Sequence, residues 1–372
     1  MESIAVVGMD IHKKFTRAVS LDAKGDVLEM RDVFHGNKES MSVFFRGLPK
    51  RTHVVMEATF GWPWVSDLAQ AEGLEPVLAQ ANRAREMARG MSKTDRRDAI
   101  WLGKLWLTGG PVFPEAYRAS PEVRGLRGLF RNRSLLVSMQ TQIKNSIHGV
   151  LLSEGVSVED ASDAFSPKGL GLMEHLDLTA RGRQESQDKL EVLSDLRKHI
   201  LKLEGRINQK LKADPRSELL MTIPGVGKLT AFGLLAELGD IGRFPNARAL
   251  AAYAGVLPLN RESAGKDFGK KTGNNCNQHL RWALIEAVTG AVRSSARFRS
   301  LHSRVKARNK KAPGKARVAV ARELAEVVYL ILKRGVPYVE RPSASCGTPK
   351  NIHPNRASQG IGSADPTRGQ AA

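Results

Sequence analysis

The sequence predicts an α/β domain over residues 1–115, a long helical arm over residues 116–214 and a mostly α-helical domain over residues 215–335. In the first segment, short apolar runs bounded by turns alternate with helical patterns. The second holds two long stretches in which apolar residues recur three and four positions apart. The third combines apolar helices with a Pro-Gly-Val-Gly turn, and residues 336–372 lack apolar periodicity, as in a disordered tail.

The composition predicts a polyanionic partner. Lys plus Arg number 58 against 38 Asp plus Glu, which gives a net charge of +20 and a pI near 10.2. Nucleic acid is favoured over a membrane surface, because the sequence shows no spanning apolar run, no signal peptide and no lipidation signal. Two cysteines, Cys276 and Cys346, form neither a disulfide framework nor a zinc site. We therefore expect a cytoplasmic protein that binds nucleic acid.

The order of elements in the first domain predicts an RNase H-like fold. Five of the seven residues in Ile4–Asp10 are apolar, as in a strand covered on both faces. Three strands are followed by helix, strand, helix, strand and helix, and in this fold the first three strands form a meander while later strands pair parallel to the first. The predicted later elements are strands at Phe15–Leu21, Val27–Phe34, Thr52–Met56 and Glu75–Ala79, and helices at Asn37–Leu48, Gly61–Glu72 and after Ser92.

Four acidic residues are expected to converge in this fold. Asp10 ends the first strand and Glu57 the fourth, and functional groups gather at the carboxyl ends of adjacent strands. Asp95 and Asp98 share one face of the first turn of a helix. Mg²⁺ or Mn²⁺ would relieve the repulsion between these carboxylates. The structural alternatives are that Asp10 caps a turn, and that Asp95 is a helix N-cap with Asp98 as its capping-box partner.

The arm is predicted as two long helices. The first begins at Ser120-Pro121 and runs beyond Leu152, and the second runs from about Arg183 to Lys212. They either pack as an antiparallel hairpin or pair with another subunit, and pairing between subunits is the favoured alternative. The basic side chains of the first helix either face phosphates or form a solvated face: Arg124, Arg127, Arg131, Arg133 and Lys144. The second carries a short heptad seam: Leu193, Leu196, Ile200, Leu203 and Ile207.

The C-terminal domain contains a predicted helix-hairpin-helix, Glu218–Leu238. Its tight turn would present backbone N–H groups to a phosphate, although an ordinary αα-hairpin has the same pattern. The loop after it holds a single serine, Ser263, in a Gly- and Lys-rich stretch, which is also typical of a phosphate contact or a turn. From Ala287 to Arg322 there are eleven Lys or Arg residues and no acidic residue. The predicted nucleic-acid contacts are Gly225, Gly227, Lys228, Thr230, Arg261, Lys266, Lys270, Lys271, Arg281, Arg293, Arg297, Arg304, Lys306, Lys310 and Lys311.

Two sets of motifs resemble one family. Asp10 after an apolar strand, Glu57 in VVMEAT, and KTDRRDA resemble the DEDD-type transposases of bacterial insertion sequences, whose first domain is similar to RuvC-type resolvases. IPGVGKLTA, LAAYAGVLP, ESAGK and HLRWALIEA resemble the second domain of the same family, which is related to Piv-type invertases. There a serine in an SGGK-like loop is the proposed nucleophile. The resemblance assigns this role to Ser263, with Glu262 and Ala264 as departures from the usual loop.

The resemblance covers about residues 1–335 and implies a DNA transposase or site-specific recombinase. It would cut and rejoin insertion-sequence DNA through a phosphoserine intermediate, with Asp10, Glu57, Asp95 and Asp98 binding Mg²⁺ or Mn²⁺ and Ser263 attacking phosphorus. It also implies a homo-oligomer, dimer or tetramer, and an element-encoded guide RNA. One alternative is a structure-specific, metal-dependent endonuclease. The other is a non-catalytic nucleic-acid-binding protein, but that function would leave the four acids unexplained.

Overall fold

The computed structural model describes residues 3–88, 94–159, 161–259, 262–263, 266–267, 271–272 and 276–340, with the short strands between 258 and 272 described as backbone. The chain forms two compact units, Met1–Arg124 and Gly125–Ala372. Residues 125–214 of the arm group with the C-terminal part. Within the described residues, no helix is both long enough and apolar enough to cross a membrane. Most of the predicted tail, residues 341–372, lies outside the described residues.

The N-terminal unit contains a five-stranded mixed sheet in the order β3-β2-β1-β4-β5. The first three strands form an antiparallel meander, and β4 and β5 are parallel to β1. This topology is the one predicted from the element order and is consistent with an RNase H-like domain. The strands are β1 (Val6–Ile11), β2 (Phe15–Leu21), β3 (Val27–Phe34), β4 (His53–Glu57) and β5 (Glu75–Ala79).

Helices cover both faces of this sheet. One apolar cluster joins Val7 and Met9 of β1 to the first two helices, and the other joins Val6 to the fourth helix. The prediction that the first strand is covered on both faces is therefore confirmed. The helices are α1 (Lys38–Arg46), α2 (Trp62–Ala71), α3 (Ala81–Met87) and α4 (Asp95–Gly109), with a 3₁₀ turn at Gly110–Val112.

Two glycines let α4 cross β1 in backbone contact. A Cβ atom at Gly8 would lie 2.0 Å from the carbonyl oxygen of Ala99 and 2.9 Å from the nitrogen of Gly103. A Cβ atom at Gly103 would in turn lie 2.6 Å from the side chain of Leu21. The contact between Gly8 and Ala99 places the first turn of α4 next to the end of β1. Asp95 and Asp98 lie just before Ala99 in α4, and Asp10 lies two residues after Gly8 in β1.

In the residues that the structure describes, the C-terminal unit is helical apart from loops and four two-residue strands. Its central helix, α9, is buried along Thr230–Leu238 and packs against α8 and α11. The helices are α5 (Pro121–Ser153), α6 (Pro167–Glu174), α7 (Ala180–Lys212), α8 (Arg216–Met221), α9 (Lys228–Leu238), α10 (Ala247–Tyr253), α11 (Gln278–Ser294), α12 (Ala296–Arg308) and α13 (Gly314–Arg334).

The predicted heptad seam is buried inside this unit. Phe130 of α5 shares an apolar cluster with Ile207 of α7, and Ile147 shares another with Leu193, so the two helices are antiparallel. The expectation that the seam pairs with another subunit is not supported, because its side chains are already covered by the same chain. The basic residues of α5 are also engaged within the protein: Arg124 with Asp67, Arg127 and Arg131 with Glu237, Arg133 with Glu204, and Lys144 over the ring of Phe165.

The segment predicted as a helix-hairpin-helix forms two helices, α8 and α9, joined by a tight turn, and two of its residues differ from expectation. Gly225 has a positive φ of 84°, and a Cβ atom there would lie 2.2 Å from the carbonyl oxygen of Ala287 in α11. This glycine therefore serves helix packing. Thr230 is only 7% exposed, which removes it from the candidate phosphate contacts. Gly227 and Lys228 are exposed at the start of α9.

The stretch around Ser263 contains paired strands where the sequence predicted a loop. Pro258–Leu259 (β6) pairs antiparallel with Lys271–Thr272 (β9), and Glu262–Ser263 (β7) pairs antiparallel with Lys266–Asp267 (β8). Two pairings nested in this way are typical of a β-hairpin. Arg261, Ala264 and Lys270 lie outside the described residues.

Candidate active site

The four predicted acids line one cleft of the N-terminal unit. Asp10 and Glu57 lie at the carboxyl ends of β1 and β4, and Asp95 and Asp98 lie in the first turn of α4. The cleft has a volume of about 480 Å³, and two basic residues, Arg85 and Arg97, also line it. The strand ends and the helix N-terminus thus meet at one edge of the sheet, as the element order predicts.

Among the described residues, no guanidinium or ammonium group pairs with Asp10. Arg17 is opposite Asp10 on the neighbouring strand, but it donates two hydrogen bonds of 2.7 Å to Asp32 on β3. Burial raises the pKa of Asp10, and the negative charges of Asp98 and Asp95 raise it further against the opposing effect of His12. No backbone N–H donates to its carboxylate among the described residues, so the turn-capping alternative is not supported.

The side chains of Asp95 and Asp98 do not cap helix α4. The N-cap of α4 is Thr94, whose hydroxyl accepts a hydrogen bond of 3.3 Å from the backbone N–H of Arg97. The alternative in which Asp95 is the N-cap and Asp98 its partner is therefore wrong, because the helix begins one residue earlier. Both carboxylates lie in the first turn, where the helix dipole stabilises negative charge.

His12 belongs to this cleft and was missed by the sequence reasoning. Its Nε2 lies 3.1 Å from Oδ2 of Asp10 and 3.4 Å from Oδ2 of Asp95. Donor atoms of these three residues all lie within 4.8 Å of one another, whereas Glu57 and Asp98 line the cleft outside this closest group. The sequence signal for His12 is its position two residues after Asp10. Residues two apart in an extended chain face the same side, so the two side chains could have been expected to lie together.

The donor set fits a divalent metal ion. Nε2 of His12 is buried and makes no hydrogen bond, although two carboxylate oxygens are within reach. Four carboxylates that line one cleft are costly to hold together unless their charge is compensated. A metal ion bound by Asp10, His12 and Asp95 would satisfy the nitrogen and both oxygens, with Glu57 and Asp98 near enough to contribute from the cleft wall.

The candidate nucleic-acid contacts of the C-terminal unit divide into free and engaged cations. Arg297 pairs with Glu323 and stacks over Phe298, so it is removed from the candidates. Arg281 is half-buried near the start of α11. Lys266 and Lys271 are placed as backbone, in β8 and β9. The exposed candidates on and beside α11 and α12 are Arg293, Arg304, Lys306, Lys310 and Lys311.

A buried polar network holds the base of the serine-bearing stretch. Glu237 is 0% exposed and accepts hydrogen bonds of 2.8 and 2.7 Å from Arg131 and one of 2.8 Å from the side chain of Asn277. Burial alone would raise the pKa of Glu237, but the hydrogen bonds from Arg131 and Asn277 lower it overall. The backbone N–H of Asn277 donates to the carbonyl oxygen of Tyr253 at 2.9 Å, which joins the two ends of the segment containing Ser263.

Comparisons with known proteins place both units in one family. A transposase model of the DEDD IS110 type matches residues 7–154, and the model described as "Transposase IS116/IS110/IS902 family" matches residues 217–303. The first match contains all four acids and the second contains Ser263. Together the two models cover well over half of the chain.

Two relatives align with this chain over nearly its full length, and a third aligns over part of it. The chain is 26% identical to the "Transposase for insertion sequence element IS1111A" of Coxiella burnetii over 91% of this chain and 92% of the relative. It is 23% identical to a "Probable family 20 transposase" of Pseudomonas aeruginosa over 90% of this chain and 99% of the relative. It is also 31% identical to the "Pilin gene-inverting protein" of Moraxella bovis, over 38% of this chain and 46% of the relative. The chain therefore belongs to the IS116/IS110/IS902 family of DEDD-type insertion-sequence transposases and is an enzyme of DNA transposition or recombination.

Proposed function

We propose that this enzyme cuts and rejoins the DNA of its own insertion sequence through a covalent phosphoserine intermediate. The observation that carries the proposal is the convergence of Asp10, Glu57, Asp95 and Asp98 on one cleft of a protein with a net charge of +20. Carboxylates alone would repel a phosphodiester. Their convergence is explained if a cation binds there, and a cation is also what a phosphodiester needs.

Asp10, His12 and Asp95 would hold the metal, and Glu57 and Asp98 would complete its surroundings. The bound ion would supply positive charge that draws in and polarises the scissile phosphate. Arg85 and Arg97 line the same cleft and would bind the flanking phosphates. The role of the N-terminal unit is thus to bind and orient the phosphodiester.

Ser263 is the proposed nucleophile. Its Oγ would form a bond to phosphorus while the bond from phosphorus to one sugar oxygen breaks, and the serine proton would be lost as the sugar oxygen gains a proton. Attack by a sugar hydroxyl of the recombining strand would then break the serine–phosphorus bond and restore the serine. Each phosphodiester lost is replaced by one phosphoester bond, so rejoining needs no external energy source. The support is the match of this segment to the family model and its β-hairpin pairing.

DNA binding is assigned to the exposed cations of the C-terminal unit, which would contact backbone phosphates without reading bases. Choice of sequence is assigned to a guide RNA encoded by the element, and assembly to a homo-oligomer. Both of these assignments rest on the family resemblance.

The test uses the full chain, DNA containing the joined ends of the element, and RNA transcribed from beside the gene. Covalent protein–DNA adducts are resolved on denaturing gels for the wild type, Ser263→Ala, Asp10→Asn and the matched control Ser303→Ala, an exposed serine on α12. The wild type and Ser303→Ala should form the adduct, Ser263→Ala should form none, and Asp10→Asn or a chelator should abolish cleavage.

An adduct formed by Ser263→Ala would exclude the serine as nucleophile. Cleaved wild-type products with 5′-phosphate ends and no adduct would instead identify a structure-specific endonuclease that uses water. Binding of the DNA without any cleavage would identify a non-catalytic binding protein.

A further inference from the structure

We infer that His12 is a direct ligand of the metal ion and gives the cleft a preference for first-row transition-metal ions over Mg²⁺. The inference rests on the proposed function, because it concerns the ion in the same cleft. It adds a nitrogen ligand to a site that the sequence predicts as carboxylates alone, and it identifies the class of ion.

The position of Nε2 is the first observation. This atom is buried and lies 3.1 Å from Oδ2 of Asp10 and 3.4 Å from Oδ2 of Asp95, but it is not aligned for a hydrogen bond with either oxygen. A buried nitrogen normally has a partner. Nε2 of His12 and the Oδ2 atoms of Asp10 and Asp95 are thus close together without a hydrogen bond to Nε2. This arrangement is typical of a metal site.

The ring is also held in place before any ion binds. It stacks on the ring of Phe15, with centroids 4.7 Å apart and 27° between the planes. The backbone N–H of His12 donates to the carbonyl oxygen of Phe15 at 2.9 Å, which closes the turn between β1 and β2. Because the turn fixes the backbone and the stacking fixes the ring, little reorganisation is needed to place Nε2 on an ion.

The donor chemistry sets the preference. Mg²⁺ is bound almost entirely through oxygen and keeps several of its waters. Imidazole nitrogen suits first-row transition ions, and affinity for a mixed nitrogen and oxygen site rises from Mn²⁺ through Fe²⁺ to Co²⁺. A site of one imidazole and two carboxylates should therefore bind Mn²⁺ more tightly than Mg²⁺, and Co²⁺ more tightly than Mn²⁺.

His53 provides a matched control in the same unit. It also lies near a carboxylate, with Nε2 3.0 Å from Oε2 of Glu75, but it has one such neighbour and lies at the start of β4, away from Glu57 at the end of that strand. Its replacement changes a half-exposed histidine without altering the cleft.

The first measurement is calorimetric binding of Mg²⁺, Mn²⁺ and Co²⁺ to the full chain as wild type, His12→Asn, His53→Asn and Asp10→Asn. The ratio of Mn²⁺ to Mg²⁺ affinity should fall by at least about tenfold in His12→Asn, since even outer-shell partners of a ligand change metal affinity by that factor. His53→Asn should keep the wild-type ratio, and Asp10→Asn should weaken binding of all three ions.

The second measurement is pulsed electron paramagnetic resonance of bound Mn²⁺, in which a directly bonded imidazole gives ¹⁴N modulation of the echo. The wild type and His53→Asn should show the modulation and His12→Asn should not. Mn²⁺ bound to the wild type without ¹⁴N modulation, or an unchanged affinity ratio in His12→Asn, would overturn the role of His12 and leave the carboxylate site intact. Absence of binding of any ion to the wild type would instead overturn the metal cleft of the proposed function.

Discussion

Asp10 shows how a single residue can be kept in an unfavourable state for function. Its natural cross-strand partner, Arg17, is bound to Asp32, and the groups nearest to it include two further carboxylates. Burial and these charges raise the pKa of Asp10, so the folded protein holds the ionised carboxylate at a cost at neutral pH. Such cost is tolerated where a cation removes it.

The first prediction follows from the sign of that shift. Because the folded-state pKa of Asp10 is raised, replacing its charge in Asp10→Asn should leave the metal-free protein at least as stable as the wild type at pH 7. With metal bound, the wild type should be more stable than Asp10→Asn, since an ion at a hundredfold excess over its Kd stabilises the wild type by about 2.7 kcal/mol. Thermal melts in a chelator and in Mn²⁺ check this, and an equal Mn²⁺ gain in both proteins would contradict it.

Glu237 is the opposite case, a buried carboxylate with its partners supplied by the protein. Glu237→Gln should destabilise the fold by about 3 kcal/mol at pH 7, because it removes the charge of a fully buried carboxylate with which both Arg127 and Arg131 pair. Since the folded-state pKa of Glu237 is lowered, its stabilising effect is complete above the ordinary glutamate pKa of about 4.3 and is lost as the pH falls through the lower, folded value.

Denaturant unfolding from pH 7 to pH 3 should therefore show a gap in unfolding free energy between wild type and Glu237→Gln that narrows towards the acidic end. Glu326→Gln is the matched control, because Glu326 pairs with Arg322 on the exposed surface of α13 at 3.6 Å. Its effect should stay below about 1 kcal/mol at every pH. A constant gap for Glu237→Gln across the range would show that its charge is not what stabilises the fold.

The residues that sequence reasoning identified and missed differ in a physical way. Asp10, Glu57, Asp95 and Asp98 could be found because each is a charge placed at a strand end or helix start. Glu237 could not, since its partners Arg131 and Asn277 are distant along the chain. Thr94 and Asp95 are both common N-cap residues and Asp is the more favoured type, so the sequence could not show that Thr94 caps α4.

At the scale of elements, the contact between α4 and β1 sets the geometry of the cleft. Gly8→Ala should cost about 2 kcal/mol, because the new methyl group would have to displace the backbone of α4. The displacement should also move Asp95 and Asp98 away from Asp10 and weaken Mn²⁺ binding. Gly36→Ala is the control, since a Cβ atom there meets nothing within 4 Å. Calorimetry and unfolding on both variants test the prediction, and normal Mn²⁺ affinity in Gly8→Ala would contradict it.

The arm gives a prediction about packing within the chain. Leu193 of α7 is 1% exposed in a cluster with Ile147, whereas Leu201 on the same helix is 67% exposed. Leu193→Ala should cost about 3 kcal/mol of unfolding free energy, and Leu201→Ala should cost about 0.5 kcal/mol or less. An effect of Leu193→Ala on oligomeric state alone, with no change in unfolding free energy, would show that the seam is formed between subunits.

Elements were predictable where the apolar period was strong. The five strands of the sheet and the long helices α5 and α7 were found within a few residues of their ends, because the strands are apolar runs bounded by turns and the helices have a long, regular apolar pattern. Helix α3 was missed because only Ala84 of its seven residues is buried, so no apolar stripe marks it. Helix α6 was missed although Ser166 and Pro167 repeat the helix-start signal used correctly at Ser120 and Pro121.

Across the whole molecule, the charge has two opposite roles. The chain carries a net charge of +20, yet the cleft of the N-terminal unit is lined by four carboxylates. The arginines of α5 are bound to acidic partners within the protein and are not available for DNA. The segment from Ala287 to Arg322 holds eleven Lys or Arg residues and no acidic residue, so the exposed cations in and beside α12 are the favoured candidates for contacts with phosphates.

This distribution predicts where the salt dependence of DNA binding originates. Each phosphate contact contributes about 0.9 to the slope of log affinity against log salt concentration. Replacing both Lys306 and Lys310 by alanine should therefore reduce the slope by close to two such contributions, with the same loss on any duplex sequence, because contacts to phosphates do not read bases. Lys198→Ala is the matched control, since this lysine of α7 is 68% exposed but pairs with Asp195. Binding titrations from low to moderate salt on two unrelated duplexes measure both effects. An unchanged slope in the double variant, or a loss confined to one sequence, would contradict the assignment of α12 to the DNA backbone.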